Sequence, residues 1–290
     1  MYNVCEVDGG FMLKKAEYIK NNLKDMDVLM CPLCYDKLRL YNNSLVCDNN
    51  HCFDISKKGY VTLLKKNKLR PNYIYDTCLF RSRYKFISKG FYNELHVLIS
   101  KIIKDKVSNA IILDMGCGDG THDNIILNLL DNKECFIIGV DISKEGILCA
   151  TDYVSNNFIP LVADLNYMPI KNHCVDVILN ILSPSCEREI NRVLKEEGII
   201  IKVTPRKGYL CELREIFNIK EYENEILIEK NIANNYDIVD KYVIDRKVVL
   251  DYDDVLNLIN MTPLTKNYKG NINLNEITIS LNVYVLKIKK

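Results

Sequence analysis

The sequence contains no apolar run of the roughly 18 residues that a membrane-crossing helix needs, so no spanning helix is expected. Its first residues include Glu6, Asp8, Lys14 and Lys15 and lack the continuous apolar segment of a secretory signal, which makes the cytoplasm the expected compartment. Net charge is also missing: 39 Lys and Arg against 38 Asp and Glu leave +1, a total that excludes no class of partner by itself. Apolar content is ample, at 48% of 290 residues, which is enough for a real core in one large or two small domains. Twelve cysteines in such a chain, several inside expected strands, read as core thiols or metal ligands rather than as disulfides.

The sharpest stretch is Ile111-Ile112-Leu113-Asp114-Met115-Gly116-Cys117-Gly118-Asp119-Gly120, an apolar run that ends at an acid and turns through three alternating glycines. A strand buried on both faces reads as a continuous apolar run, and glycines after it let backbone N–H groups approach a ligand. The spacing D-x-G-x-G-x-G differs from the dinucleotide fingerprint G-x-G-x-x-G, which seats a pyrophosphate on a helix N-terminus. A carboxylate two residues before the first glycine repels phosphate and attracts an amine. S-adenosylmethionine carries an amine, a carboxylate and a sulfonium but no phosphate, so Asp114 suits it better than a dinucleotide. Cys135 to Val140 forms a second buried strand ending at Asp141, and an acid about 20 residues on can bind both ribose hydroxyls. The plainer alternative is that each acid caps the helix that follows. Asp164, after the strand Ile159 to Ala163, can accept from an adenine amino group or be an ordinary loop acid.

Nearer the N-terminus, Cys31, Cys34, Cys47 and His51 give the spacing C-x2-C-x12-C-x3-H. Two thiolates on one tight knuckle present two sulfurs to an ion, and a second Cys/His pair completes a tetrahedron around Zn2+. Leu38 to Val46 reads as a hairpin with Asn42-Asn43 at its turn, as a small zinc ribbon requires. A redox pair is the alternative, but such a motif belongs in a βαβ unit. Cys52 rivals His51 as a ligand, although its neighbour Phe53 suggests that it turns into the module's small core.

Residues 57–89 carry Lys57, Lys58, Lys65, Lys66, Lys68, Arg70, Arg81, Arg83, Lys85 and Lys89 against the single acid Asp76. Tyr60, Tyr73, Tyr75, Phe80 and Tyr84 are interleaved with them, so the stretch offers phosphate contacts and rings for base stacking. A solvated charged face is the alternative. Beside a zinc ribbon and a methyl-donor site, RNA binding through Lys58, Lys65, Lys66, Lys68, Arg70 and Arg83 is the better reading. Residues 212–254 reverse the balance, with twelve acids against six bases.

The rest alternates as a doubly wound α/β fold does. The pattern is helical from Tyr84 to Asp105 with a break at Gly90, and the following strands are separated by helices at 121–131, 144–156 and 186–195. Strands at 236–248 and 275–288, with a helix at 252–260 between them, would close the sheet as an antiparallel pair. The expected architecture is a class I, Rossmann-like, seven-stranded S-adenosylmethionine-dependent methyltransferase domain at 109–290. Before it come an N-terminal extension at 1–28, including a short helix within Phe11 to Asp25, a zinc module at 29–64, and a basic helical linker at 65–108.

These residues carry a resemblance. Cys31-Pro32-Leu33-Cys34, Cys47 and His51-Cys52-Phe53-Asp54, followed by Lys58-Gly59-Tyr60-Val61-Thr62-Leu63-Leu64, resemble the zinc module of the bacterial 23S rRNA guanine-N1 methyltransferases, a family that includes macrolide-resistance members. The likeness continues through Arg83, Phe86, Gly90, Tyr92, the glycine turn, Gly139-Val140-Asp141-Ile142-Ser143-Lys144, Ser183-Pro184, Arg192-Val193-Leu194-Lys195, Thr204-Pro205, Leu210, Glu212-Leu213 and Met261-Thr262-Pro263. It implies zinc ligation by Cys31, Cys34, Cys47 and His51, an rRNA hairpin as partner, and contacts to S-adenosylmethionine from Tyr92, Gly118 and Asp119, beside which Gly116 and Gly120 of the same turn are read as cofactor-binding. A homodimer is compatible with it. Two departures stand out: Tyr209 falls where the family places a histidine near the methionine end of the cofactor, and Arg206-Lys207 replaces Gly-Pro in a T-P-G-P run.

For the chemistry, in-line positioning of the nucleophile against a sulfonium methyl does most of the work. Guanine N1 carries a proton that must leave, so an acceptor should lie within about 3 Å of it. The sequence identifies none. Ser183 or Ser185 could orient the base, and Cys186 reads as a helix-start or core thiol, with a covalent nucleophile, for which no partner is evident, as the alternative. Two further functions stay open: methylation of a small molecule, against which the basic run argues, and a non-catalytic RNA-binding protein, which would bind the cofactor without turnover.

Overall fold

The computed structural model describes residues 14–65, 76–131, 135–220, 223–262, 265, 268 and 272–289. The chain begins with helix α1 (Lys15–Asp25), which buries Ile19 and Leu23, and continues into a three-stranded antiparallel ribbon: β1 (Arg39–Tyr41), β2 (Ser44–Val46) and β3 (Cys52–Asp54). Tyr41 pairs with Ser44 across a two-residue turn in which Asn42 takes a φ of +53°, a left-handed conformation that asparagine tolerates. Cys52 is exposed on β3 and Phe53 is the half-buried residue, so the expectation that Cys52 enters the module's core is corrected: the period of two turns the ring inward and the thiol out.

The second sheet has eight strands in the order β10-β11-β9-β8-β5-β6-β7-β4. Its members are β4 (Val61–Thr62), β5 (Ile111–Met115), β6 (Phe136–Asp141), β7 (Phe158–Val162), β8 (Val175–Ile181), β9 (Leu194–Pro205), β10 (Tyr236–Val249) and β11 (Glu276–Ile288). β11 runs antiparallel to both neighbours, which gives the expected antiparallel ending. The sequence pattern predicts seven strands, and the eighth is an addition. Val61 and Thr62 pair in parallel with Leu161 and Val162, and the Leu63 amide donates to the Val162 carbonyl at 2.8 Å. Val61 and Leu63 have no solvent exposure, and burial of such side chains is worth about 1.5–3 kcal/mol each, so the outer edge of β7 is a better place for them than water. The segment leaving the ribbon is therefore part of the large sheet.

One face of the sheet is covered by helices α2 (Thr77–Ser88), α3 (Asn93–Lys106), α4 (Thr121–Leu130) and α9 (Tyr252–Met261), whose Phe86, Ile99, Ile126 and Leu258 share a cluster with Ile112, Leu179 and Ile201. Asp76 caps α2 by accepting from the Leu79 amide, and Gly90, at φ +92°, makes the break between α2 and α3. From Asp76 onward, the region read as a linker thus packs on the sheet. On the other face, α1 and the ribbon share a cluster with the strands, and Ile19, Leu29, Ile159, Leu161 and Ile170 all belong to it. Among the described residues no helix lies between β7 and β8. Leu29 bridges to Ile170 and the Met30 amide donates to the Pro169 carbonyl, so the N-terminal segments cover that stretch.

Helix α5 (Lys144–Ala150) gives way to a single tight turn at Thr151–Tyr153, short of the expected 156. Helix α6 (Glu187–Val193) ends before Leu194 because that fully buried residue pairs with Val175 and starts β9. The sequence pattern does not predict helices α7 (Cys211–Ile216) and α8 (Glu225–Asn235). Neither starts with a side-chain cap, and Ile226 and Leu227 of α8 are exposed, so the usual helix signals are missing.

Candidate active site and metal centre

The ribbon's knuckle and the loop between β2 and β3 bring Cys31, Cys34, Cys47 and His51 together, with all four donor atoms within 4.8 Å of one another. Cys34 Sγ lies 3.5 Å from Cys47 Sγ, and His51 Nδ1 lies 3.5 Å and 3.4 Å from the sulfurs of Cys31 and Cys47. A tetrahedron with Zn–S near 2.3 Å and Zn–N near 2.0–2.1 Å has edges of about 3.5–3.8 Å, so these residues fit Zn2+. Cys52 is not in the cluster. The closed four-donor set has the character of a structural site.

The second site opens at the carboxyl ends of β5, β6, β8 and β9, where a doubly wound sheet binds its ligands. A cleft of about 1370 Å³ is lined there by Tyr92, Gly116, Asp119, Asp141, Ser183 and Tyr209 among others. Gly116, Gly118 and Gly120 have φ of +90°, +58° and +72°, which explains the alternating glycines. A Cβ on Gly116 would meet Ser183 Oγ at 2.6 Å, and one on Gly118 would meet Arg83 Nη1 at 3.2 Å. Asp141 accepts from the Gly118 amide at 2.9 Å and the Ser143 amide at 2.8 Å, so it holds the turn while facing the cleft. Asp119 also faces the cleft, and its Oδ2 is buried with no hydrogen-bond partner among the described residues. Burial raises the carboxyls of Asp119 and Asp141 above their ordinary range, and Arg83 opposes the shift in both.

These features fit S-adenosylmethionine. An unpaired acceptor at Asp119 suits the α-amino group, the Arg83 guanidinium beside it suits the carboxylate, and Asp141 at the end of β6 suits the ribose. Asp114, two residues before Gly116, is not part of the lining. It is 2% exposed, and burial pushes its carboxyl up to about 7, with Asp123 alongside. Asp164 also lies off the lining: its carboxylate accepts from the backbone and side chain of Asn166, and the next residue, Leu165, faces the cleft instead. Tyr92 and Tyr209 meet hydroxyl to hydroxyl at 2.7 Å. Below them His96 Nε2 lies 2.7 Å from His122 Nδ1, and burial holds the His96 imidazole down at about 4 and that of His122 well below its ordinary value.

The cleft's other end is a polar corner between β8 and β9. Asn180 Nδ2 donates to the Met115 carbonyl at 3.0 Å and to Ser183 Oγ at 2.6 Å, and the Ser183 hydroxyl itself donates to Met115. Ser183 is thus occupied in holding the loop against the glycine turn. Lys202 Nζ donates to Asn180 Oδ1 at 2.5 Å and to Ser185 Oγ at 3.3 Å. Burial lowers its ammonium to about 8, Glu187 acting in the opposite sense. Lys202 was missed in the sequence, although a charge inside Ile199-Ile200-Ile201-Lys202-Val203 is the kind of interruption that marks a functional position. Cys186 precedes α6 and is not among the lining residues.

Of the residues read as RNA-binding, Lys58 is exposed on the ribbon side, and Lys65 donates to the Tyr35 hydroxyl at 2.7 Å while lying over the Tyr35 and Tyr167 rings. Arg83 points into the cleft, over the Phe80 ring. Lys66, Lys68 and Arg70 lie outside the described residues, as do Tyr73 and Tyr75.

The zinc-ribbon family described as RlmA, N-terminal, matches residues 29–68, and the family described as a methyltransferase domain matches residues 106–259. The YxjB protein of Bacillus subtilis, provisionally named a 23S rRNA (guanine-N1)-methyltransferase, is 34% identical over 83% of this chain and 87% of its own length. This chain belongs to the 23S rRNA (guanine-N1)-methyltransferase family. The 23S rRNA (guanine(748)-N1)-methyltransferase of Streptomyces fradiae is 26% identical over 81% of this chain and 84% of its own. Among solved structures, BH2331 of Bacillus halodurans aligns with a TM-score of 0.46 and 10% identity, covering 66% of this chain and 97% of that one. As a member of this family the protein is a methyltransferase that uses S-adenosylmethionine and carries a zinc ribbon. No helix among the described residues is long and apolar enough to cross a membrane.

Proposed function

We propose that this protein transfers a methyl group to N1 of a guanine in a hairpin of 23S rRNA in the cytoplasm. The observation that carries the reading is the join at β4: the segment leaving a four-donor metal cluster becomes a strand of the sheet whose ends form the cleft. A rigid RNA-recognition module beside a methyl-transfer site suits a large folded substrate. Family membership supports the same substrate. In this division, residues 29–64 recognise RNA, 109–290 carry the chemistry, 65–108 connect the two, and helix α1 (Lys15–Asp25) packs beside the ribbon. Lys58 and Lys65 lie on the ribbon segment as phosphate contacts, joined by Lys66, Lys68 and Arg70. Arg83 belongs with the cofactor. A homodimer is part of the reading, and light scattering tests it.

When bound, S-adenosylmethionine supplies a methyl group on a sulfonium, already a good leaving centre. Asp119, Arg83 and Asp141 would hold its amine, carboxylate and ribose, with Asp114 buried behind the glycine turn and Asp164 holding its own loop through Asn166. The residues of this chain then position the base at the polar corner, where Ser185 is a hydrogen-bond partner and Asn180 and Ser183 hold the loop.

The test is tritiated methyl transfer to unmethylated large-subunit rRNA, with the modified base located by primer extension. Label at a hairpin guanine that blocks extension, reduced in Cys31→Ser, is expected. Cofactor binding without label on rRNA would leave the small-molecule or non-catalytic alternatives.

A further inference from the structure

Methylation at guanine N1 forms an N–C bond where an N–H bond stood, so the enzyme has to take up one proton per turnover. Among the described residues of the cleft few groups can receive it; Glu145, which accepts from the Ser143 hydroxyl next to Asp141, lies at the cofactor end. Ser183 is committed to the Met115 carbonyl, and Asp119 and Asp141 belong to the cofactor end. His122 lies beneath the tyrosine pair with His96 on its Nδ1.

Lys202 is different in position. It lies on the strand next to β8 and lines the cleft, and its Nζ reaches Asn180, the residue that also grips the Met115 carbonyl immediately before the glycine turn. The amine is therefore one hydrogen-bonded residue away from the turn that cradles the methyl donor. Among the described residues no carboxylate forms an ion pair with it. The surrounding charges are few. Glu187 at the start of α6 favours the ammonium, with Cys186 beside it. Tyr284 of β11 is the register partner of Lys202, and Tyr236 is the first residue of β10. On α8, Glu225 is within ion-pair reach of Arg206, and Glu229 pairs with Lys241.

We propose that Lys202, as the neutral amine, accepts the N1 proton of the target guanine. The inference rests on the guanine-N1 reading above. The N1 electron pair forms the bond to the methyl carbon, the carbon–sulfur bond breaks with its pair going to sulfur, and the N1 proton moves to Nζ to give an ammonium that later returns the proton to solvent. Nothing is oxidised or reduced. Asn180 and Ser185 hold Nζ in place through its hydrogen bonds. The dry surroundings that lower this ammonium to about 8 keep a useful fraction neutral near pH 7.5.

The experiment measures single-turnover methyl transfer to an unmethylated 23S hairpin transcript from about pH 6.5 to 9.5, for the wild type, Lys202→Arg and Lys202→Met. The wild-type rate should rise with pH and level off above about 8, following the neutral amine. Lys202→Arg keeps the charge and cannot lose its proton, so it should be about 10²–10⁴-fold slower and lack the inflection. Small primary amines in the buffer should partly restore Lys202→Met. Calorimetry should give cofactor and RNA affinities within a few-fold of wild type for both variants. A separate readout needs no turnover: acetic anhydride labelling of Lys202 in the full chain, followed by mass spectrometry, should be half-maximal near pH 8 rather than near the ordinary 10.5. A wild type that labels guanine N1 while Lys202→Arg keeps its rate and profile overturns the role of Lys202 alone. An absence of wild-type label at guanine N1 overturns the substrate reading, and the role of Lys202 with it.

Discussion

The buried histidine pair makes stability fall in mild acid, and the amount follows from geometry. His96 has no solvent exposure, and its Nε2 lies 2.7 Å from His122 Nδ1. Neutral imidazoles can share one proton across that distance as donor and acceptor, whereas charging either one would put an uncompensated cation in an apolar layer. Burial moves His96 from 6.5 to about 4. The folded value lies below the unfolded one, so the contribution is fully present above pH 6.5 and is lost as pH falls toward 4. At 1.36 kcal/mol per unit the whole span is worth about 3 kcal/mol, of which about 2.5 kcal/mol is gone by pH 4.5. Asp114 works in the opposite sense. Its folded value of about 7 exceeds 3.8, so its stabilisation is present in acid and fades as pH rises through 7. The two trends overlap in the wild type, so a subtraction is needed. Urea unfolding of wild type and His96→Gln at about pH 7.5, 6.5, 5.5 and 4.5 supplies it, because glutamine keeps a hydrogen-bonding end without titrating. The wild type should lose about 2.5 kcal/mol relative to the variant across this range. A difference that stays flat refutes the buried neutral pair.

Three further outcomes follow from particular contacts. Tyr92→Phe and Tyr209→Phe each leave one buried hydroxyl without its 2.7 Å partner and should cost about 1–3 kcal/mol in urea unfolding, while the double variant should cost much less than the sum. Gly116→Ala asks a side chain to adopt φ +90° and to overlap Ser183, so calorimetry should show S-adenosylmethionine binding weakened by tenfold or more, with zinc content by atomic absorption unchanged. Removing Zn2+ with a strong chelator should lower the melting temperature of the whole chain and open residues 29–64 to protease, because Cys31 and Cys47 share a cluster with the sheet residues Ile159 and Leu161. A protease pattern unchanged by chelation would show that the ribbon holds without its metal.

Much of this protein was legible in one dimension because the signals are local. The glycine turn is legible because three positive-φ positions allow little else, and Cys31, Cys34, Cys47 and His51 because a knuckle and a short hairpin fix their spacing within 21 residues. The buried strands could be read because parallel strands are apolar on both faces, and the family resemblance followed from the same residues. Tertiary structure decided what depends on distant partners. Arg83, one cation in a basic run, is turned inward by α2 onto the glycine turn. Val61 and Leu63 look like the tail of the ribbon, yet they join the sheet because the edge of β7, a hundred residues away, offers unpaired backbone groups. His96 and His122 meet only because α3 and α4 pack together, and Lys202 acquires its shifted proton affinity only once strands and helices have removed the water around it. Residue type, spacing and periodicity are properties of the chain, whereas burial and the chemistry it imposes on an amine, an imidazole or a carboxyl are properties of the assembled fold.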